Sequence, residues 1–80
     1  DRSIRTRFES LRPREREVFE LVAAGMPNKE VADMLCLSVG TVKLHRGHVM
    51  EKMRANSLAE LVRIADSLKQ LEKQSSSGKS

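Results

Sequence analysis

The placement of Pro13, Gly25 and Pro27 constrains the fold of this chain more than any other feature. Proline suits the first turn of a helix, where its missing N–H would have had no partner. Beyond Pro13, Val18, Phe19, Leu21 and Val22 fall on one side at helical spacing, with Arg14, Arg16, Glu17 and Glu20 mostly elsewhere. Gly25 follows Ala24 as a helix stop and Pro27 bars continuation, so a first helix is expected over 13–24. Asn28 is the next N-cap candidate, and Val31, Met34 and Leu35 form the apolar stripe of a short second helix over 28–35. Cys36 and Leu37 make a tight connection, Ser38 caps again, and a third helix is expected from Val39 to about Met53. Ser57-Leu58-Ala59-Glu60 fits a capping box, in which Ser57 and Glu60 satisfy each other's amides, and a fourth helix follows to Leu71 or Lys73. Residues 1–11 carry Ile4, Phe8 and Leu11 at i, i+4, i+7 and read as a linker or a helical arm. Residues 74–80, ending in Ser75-Ser76-Ser77-Gly78-Lys79-Ser80, read as a flexible tail. No two-residue period or internal repeat occurs, and the expected fold is all-α.

Composition narrows the function. Eighty residues support one small core, and 39% hydrophobic with 32% charged residues is a globular balance. Fifteen Lys and Arg against eleven acids leave a net charge of +4, which suits a polyanionic partner. One cysteine permits no internal disulfide, so a reducing cytosol is the expected compartment. No apolar run nears a membrane span and no secretory signal precedes Ile4. With Phe8 and Phe19 as its two aromatics, the chain offers no stacking platform for single-stranded nucleic acid. No nucleophile–base–orienter set and no phosphate-binding glycine loop is recognisable, so no enzyme and no cofactor is expected.

The third helix is the informative surface. At about 100° per residue, Val42, Val49 and Met53 point to the core. Gly40, Lys43, Leu44, Gly47 and Glu51 point away, flanked by Thr41 and His48. No acid occurs from Val39 to Met50, whereas Lys43 and Arg46 both do. A solvated face with one stray leucine would account for this pattern too. A short helix, a tight turn and a longer helix with a basic amino-terminal half, however, is the helix-turn-helix arrangement. In a major groove Lys43 can donate to guanine acceptors and Leu44 can contact a thymine methyl. Gly40 and Gly47 allow close approach, Ser38 and Thr41 can bond phosphates at the helix amino end, and Lys29 would lie over the flanking backbone.

The segments Arg14-Glu15-Arg16-Glu17-Val18, Ala24-Gly25-Met26-Pro27-Asn28-Lys29-Glu30-Val31-Ala32 and Leu37-Ser38-Val39-Gly40-Thr41-Val42-Lys43-Leu44-His45 resemble the LuxR/FixJ/NarL-type DNA-binding domain. Val49-Met50-Glu51-Lys52-Met53 and Ser57-Leu58-Ala59-Glu60-Leu61-Val62 match as well, and look most like the FixJ-like branch. The match runs over about 11–66 without gaps. This resemblance implies a four-helix domain over 12–73, the output half of a bacterial response regulator whose receiver domain lies upstream, bound as a dimer to an inverted-repeat operator. By position, Lys43, Leu44 and Gly47 match base-reading sites, although a glycine at 47 has no side chain to read with. Asn28, Lys29, Ser38, Thr41, Arg46, His48 and Lys52 match positions near phosphates. Two departures stand out. Arg12 replaces the usual Ser or Thr before the proline, a loss of about 1 kcal/mol unless replaced locally. Gly40 weakens the start of the third helix by roughly 0.5–1 kcal/mol relative to alanine.

On the fourth helix Leu58, Leu61, Val62 and Ala65 are expected inward, with Ile64, Leu68 and Leu71 drifting to a second stripe. That stripe either packs on the arm through Ile4 and Phe8 or makes a two-fold dimer contact, weak without DNA; the dimer is preferred. His45 and His48 stand three apart, but no third ligand is expected nearby and Cys36 lies across the turn, so no metal is expected. The rival reading is a helical module that binds an acidic partner, a receiver domain or an RNA polymerase subunit, through the second stripe of the fourth helix and Arg2, Arg5 and Arg7. The two are compatible, because an activator also touches polymerase.

Overall fold

The computed structural model describes the backbone of residues 2–77 and the side chains of residues 3–71. Five helices occur there and no strand: α1 (Arg2–Glu9), α2 (Pro13–Ala23), α3 (Asn28–Leu35), α4 (Val39–Met53) and α5 (Leu58–Ser77). The expected second, third and fourth helices are α3, α4 and α5. Val18, Phe19 and Val22 of α2, Val31 and Ala32 of α3, Val42, Val49 and Met53 of α4, and Leu61 and Leu68 of α5 form one buried aliphatic core, closed by Leu11 and Ala55. α4 is the central element, packed against all the other helices.

Three helices end in the same left-handed turn. The amide of Met26 bonds the carbonyl of Leu21, that of Leu37 bonds Ala32, and that of Ala55 bonds Met50. This is the Schellman pattern, whose pivot residue takes positive φ. Gly25 fills it at φ 96°, but Cys36 at 57° and Arg54 at 56° adopt the same region with a Cβ. The two non-glycine pivots set the angles at which α3 meets α4 and α4 meets α5.

The expected linker or arm is helical over residues 2–9. The Phe8 and Phe19 rings lie 5.7 Å apart and tilted, and the Arg16 guanidinium sits 5.0 Å from the Phe8 centroid. Arg7 donates to the carbonyl of Met53 and Arg16 to that of Glu9, so Arg7 caps the carboxyl end of α4 and Arg16 that of α1.

Several expectations are corrected. Pro27 is the N-cap of α3, and Asn28 is its first helical residue. Glu60 accepts from the amide of Asn56, not from Ser57, while Ser57 does accept from the amide of Glu60. Met34 is 63% exposed, because Ala32 draws the buried stripe of the two-turn α3 to its other side. Leu58 is exposed at the very start of α5. Leu68 is only 8% exposed and belongs to the core. Seven residues make nearly two turns, so Leu68 lies about 20° from Leu61 rather than on a separate stripe. Ile64 and Leu71 are half-buried, and Ile64 packs against the core, as do Ile4 and Phe8 of α1. Of the expected dimer stripe, Leu68 is thus taken up by the monomer core, while Ile64 and Leu71 remain partly exposed. Finally, α5 continues to Ser77, past the expected end at 71–73, since no glycine or proline interrupts it before Gly78; residues 78–80 lie outside the described residues.

Candidate nucleic-acid interface

Ser38 begins the candidate surface. Its Oγ accepts from the amide of Thr41 at 3.1 Å, and the two hydroxyls share a 2.9 Å hydrogen bond. Two hydroxyl protons serve one mutual bond, so one remains for an outside acceptor. The first intrahelical bond of α4 runs from the amide of Val42 to the carbonyl of Ser38. The amides of Val39 and Gly40 precede it and, as at any helix start, point outward with the positive end of the helix dipole.

From this end Lys43, Leu44 and Gly47 run along the solvent face opposite the buried Val42, Val49 and Met53. Leu44 is 58% exposed, and a Cβ built on Gly47 meets nothing within 4 Å. The three expected base-reading positions thus share one open, acid-free strip. Lys29 is exposed at the start of α3. Arg46 is half-buried and its Nη1 donates to Asn28 Oδ1 at 3.1 Å, tying α4 to α3. Asn28 consequently has only its NH2 left to donate.

His48 and Lys52 answer to a different partner. Glu15, 3% exposed, sits beneath them from α2. Lys52 Nζ lies 2.8 Å from Glu15 Oε1 and His48 Nδ1 lies 3.4 Å from Oε2. The same Oε1 accepts from the amide of Arg12 at 2.9 Å. Burial pushes the Glu15 carboxyl up, while the Lys52 and Arg12 hydrogen bonds and the Lys52 and His48 charges pull it down. The balance lies below its ordinary value. His48 and Lys52, two of the expected phosphate contacts, thus share an internal carboxylate partner while their side chains stay 47% and 34% exposed.

Glu15 is the residue that sequence reasoning left without a role. Its signal was present, because Glu three positions after an N-cap is the second half of a capping box. Its carboxylate accepts from the Arg12 amide, although the arginine side chain has no acceptor with which to complete the reciprocal half of the box. Long-range placement did the rest: Glu15, His45 and His48 bring one ligand atom each within 4.8 Å of one another. The expectation that the two histidines lack a third ligand is overturned by α2 packing on α4.

The family model described as bacterial regulatory proteins, luxR family, matches residues 9–65. Nodulation protein W of Bradyrhizobium diazoefficiens is 53% identical over 66 residues, 82% of this chain and 29% of that protein. The transcriptional regulatory protein FixJ of Rhizobium meliloti is 52% identical over 62 residues, 78% of this chain and 30% of that protein. The crystal structure of full-length FixJ from B. japonicum superposes with a TM-score of 0.74 at 48% identity, covering 80% of this chain and 32% of that one. The chain thus spans about three-tenths of the length of these relatives.

Proposed function

The chain belongs to the LuxR family of bacterial regulatory proteins, and from that premise we propose that it binds double-stranded DNA sequence-specifically, as the output domain of a transcription-controlling response regulator. The single observation that carries the docking mode is the strip of Lys43, Leu44 and Gly47, exposed, acid-free and opposite the core face of α4. One α-helix fills a major groove, and residues of its first turns reach base edges. Lys43 donates to a guanine, Leu44 packs on a thymine methyl, and Gly47 lets the helix sit deep instead of reading a base. Lys29, the spare Ser38–Thr41 hydroxyl proton, the amides of Val39 and Gly40, and Arg46 hold phosphates and set the register.

Two copies are proposed to occupy an inverted repeat, about 34–36 Å apart, as two-fold helix-turn-helix proteins do. Leu68 is not offered as their contact. An upstream receiver domain accords with relatives named FixJ, which are more than three times as long as the matched segment. Among the described residues no helix is long and apolar enough to cross a membrane, and a DNA-bound role places the protein in the cytoplasm. The rival reading, an interaction module using basic residues of the arm, loses Arg7 to the carbonyl of Met53.

Binding of Lys43→Ala and Lys29→Ala to a selected operator across a salt series tests the docking. Lys43→Ala is expected to lose about 1–3 kcal/mol and to relax preference at one base pair. Lys29→Ala is expected to weaken all duplexes alike and to flatten the salt slope by about one unit. Operator affinity unchanged in both variants would refute the docking.

A further inference from the structure

We propose that Glu15, His45 and His48 form a binding site for one divalent transition-metal ion of the zinc class, clipping α2 to α4. The three ligand atoms lie within 4.8 Å of one another, and their residues grade from buried Glu15 through half-buried His45 to exposed His48. An ion can therefore enter from solvent and keep its fourth position on water. The edge between Glu15 Oε2 and His48 Nδ1 is 3.4 Å. Metal–ligand bonds of about 2.0–2.2 Å in a tetrahedron hold their ligands about 3.3–3.5 Å apart, so this edge is already set. His45 and His48, three apart on one helix, project from the same face, and an ion held by all three would draw in the remaining edges from at most 4.8 Å.

A second observation points to the same cluster. Nδ1 of His45 is sealed from solvent and has no hydrogen-bond partner among the described residues. Buried polar atoms in native proteins are nearly always partnered, and an ion held in this cluster gives the ring a partner. Two imidazoles and one carboxylate favour zinc and its first-row neighbours over magnesium or calcium, which require oxygen cages.

Lys52 opposes the ion. Its ammonium holds Oε1 of the same carboxylate at 2.8 Å, leaving Oε2 as the ligand atom. A positive charge so close weakens the site, and its removal should strengthen it. The inference rests on the packing of α2 against α4 and is independent of the DNA-binding proposal.

The test is zinc binding by the 80-residue chain after dialysis against chelator, read by equilibrium dialysis and by the zinc-induced rise in melting temperature. Cobalt absorption in the visible reports the ligand geometry. One ion per chain is expected, with a low-coordinate cobalt spectrum. His45→Gln and His48→Gln should each weaken binding about tenfold or more, as the loss of a ligand demands. Lys52→Met should tighten it, and Cys36→Ser should leave it unchanged. Melting of each variant in chelator verifies that it folds; if His45→Gln does not, the exposed His48→Gln decides. The proposal is overturned if no saturable binding occurs below millimolar zinc, if His48→Gln binds like the parent, or if Cys36→Ser abolishes binding.

Discussion

Replacing Glu15 by glutamine keeps the shape of the side chain and removes its charge. Oε1 then accepts from the Arg12 amide and from Lys52 as a neutral oxygen, at sites now 2.9 and 2.8 Å away. Charge-assisted bonds are about twice as strong as neutral ones, so each of the two loses about 0.5–1.5 kcal/mol. The Lys52 bond belongs at the low end, because that side chain is 34% exposed and water replaces part of the loss. Relief of the cost of burying a charge offsets some of the remainder. The net destabilisation near neutral pH is therefore about 0.5–1.5 kcal/mol, or a urea midpoint lower by about 0.5–1.5 M for a chain this small. The pH dependence carries the sharper information. The folded carboxyl titrates below its ordinary value of 4.5. A depressed carboxyl contributes stability that is fully present above its unfolded pKa and is lost as pH falls through the folded one. The gap between parent and Glu15→Gln should thus be widest near pH 7 and should close on acidification below about pH 4. Urea unfolding of both proteins, with chelator present to exclude metal, measures it across the range. A gap that stays constant with pH, or that widens in acid, would refute the reasoning.

Gly47 and Leu68 separate folding from function in opposite directions. Gly47→Ala finds open space in the folded state and should stabilise α4 by about 0.5–1 kcal/mol. Because the added methyl stands between the helix and the groove, operator affinity should fall while thermal stability rises; a fall in stability would contradict the packing. Leu68→Ala should cost about 2–4 kcal/mol in urea unfolding, as for a core leucine. That cost should be the same at every protein concentration, whereas a dimer contact would make it concentration-dependent.

Most of the fold was legible because helix-scale signals are local. Pro13, Gly25, Pro27 and Ser38 mark boundaries whatever the tertiary context, and the bounds of α3 and α4 fell where those residues put them. The outward strip of α4 was readable for a similar reason, since periodicity assigns one face once the other is known to be core. Periodicity fails where phase matters and elements are short. Met34 was misplaced because two turns do not define a stripe, and Leu68 because a seven-residue step was taken as drift instead of near-return. Contacts between distant segments were out of reach altogether. Nothing in the spacing of Glu15, His45, His48 and Lys52 says that α2 lays a carboxylate against the inner flank of α4. Only the packing does, and it gives two expected phosphate contacts an internal partner as well.

The central claim is that the exposed strip of α4 reads bases in double-stranded DNA. The most direct measurement is selection of bound duplexes from a random pool by the 80-residue chain at physiological salt. The account predicts enrichment of an inverted repeat whose half-sites lie one helical turn apart, with at least one guanine fixed in each half-site and that fixation lost in Lys43→Ala. A pool that remains random after repeated rounds, or one whose enriched sequence is unchanged by Lys43→Ala, would contradict it.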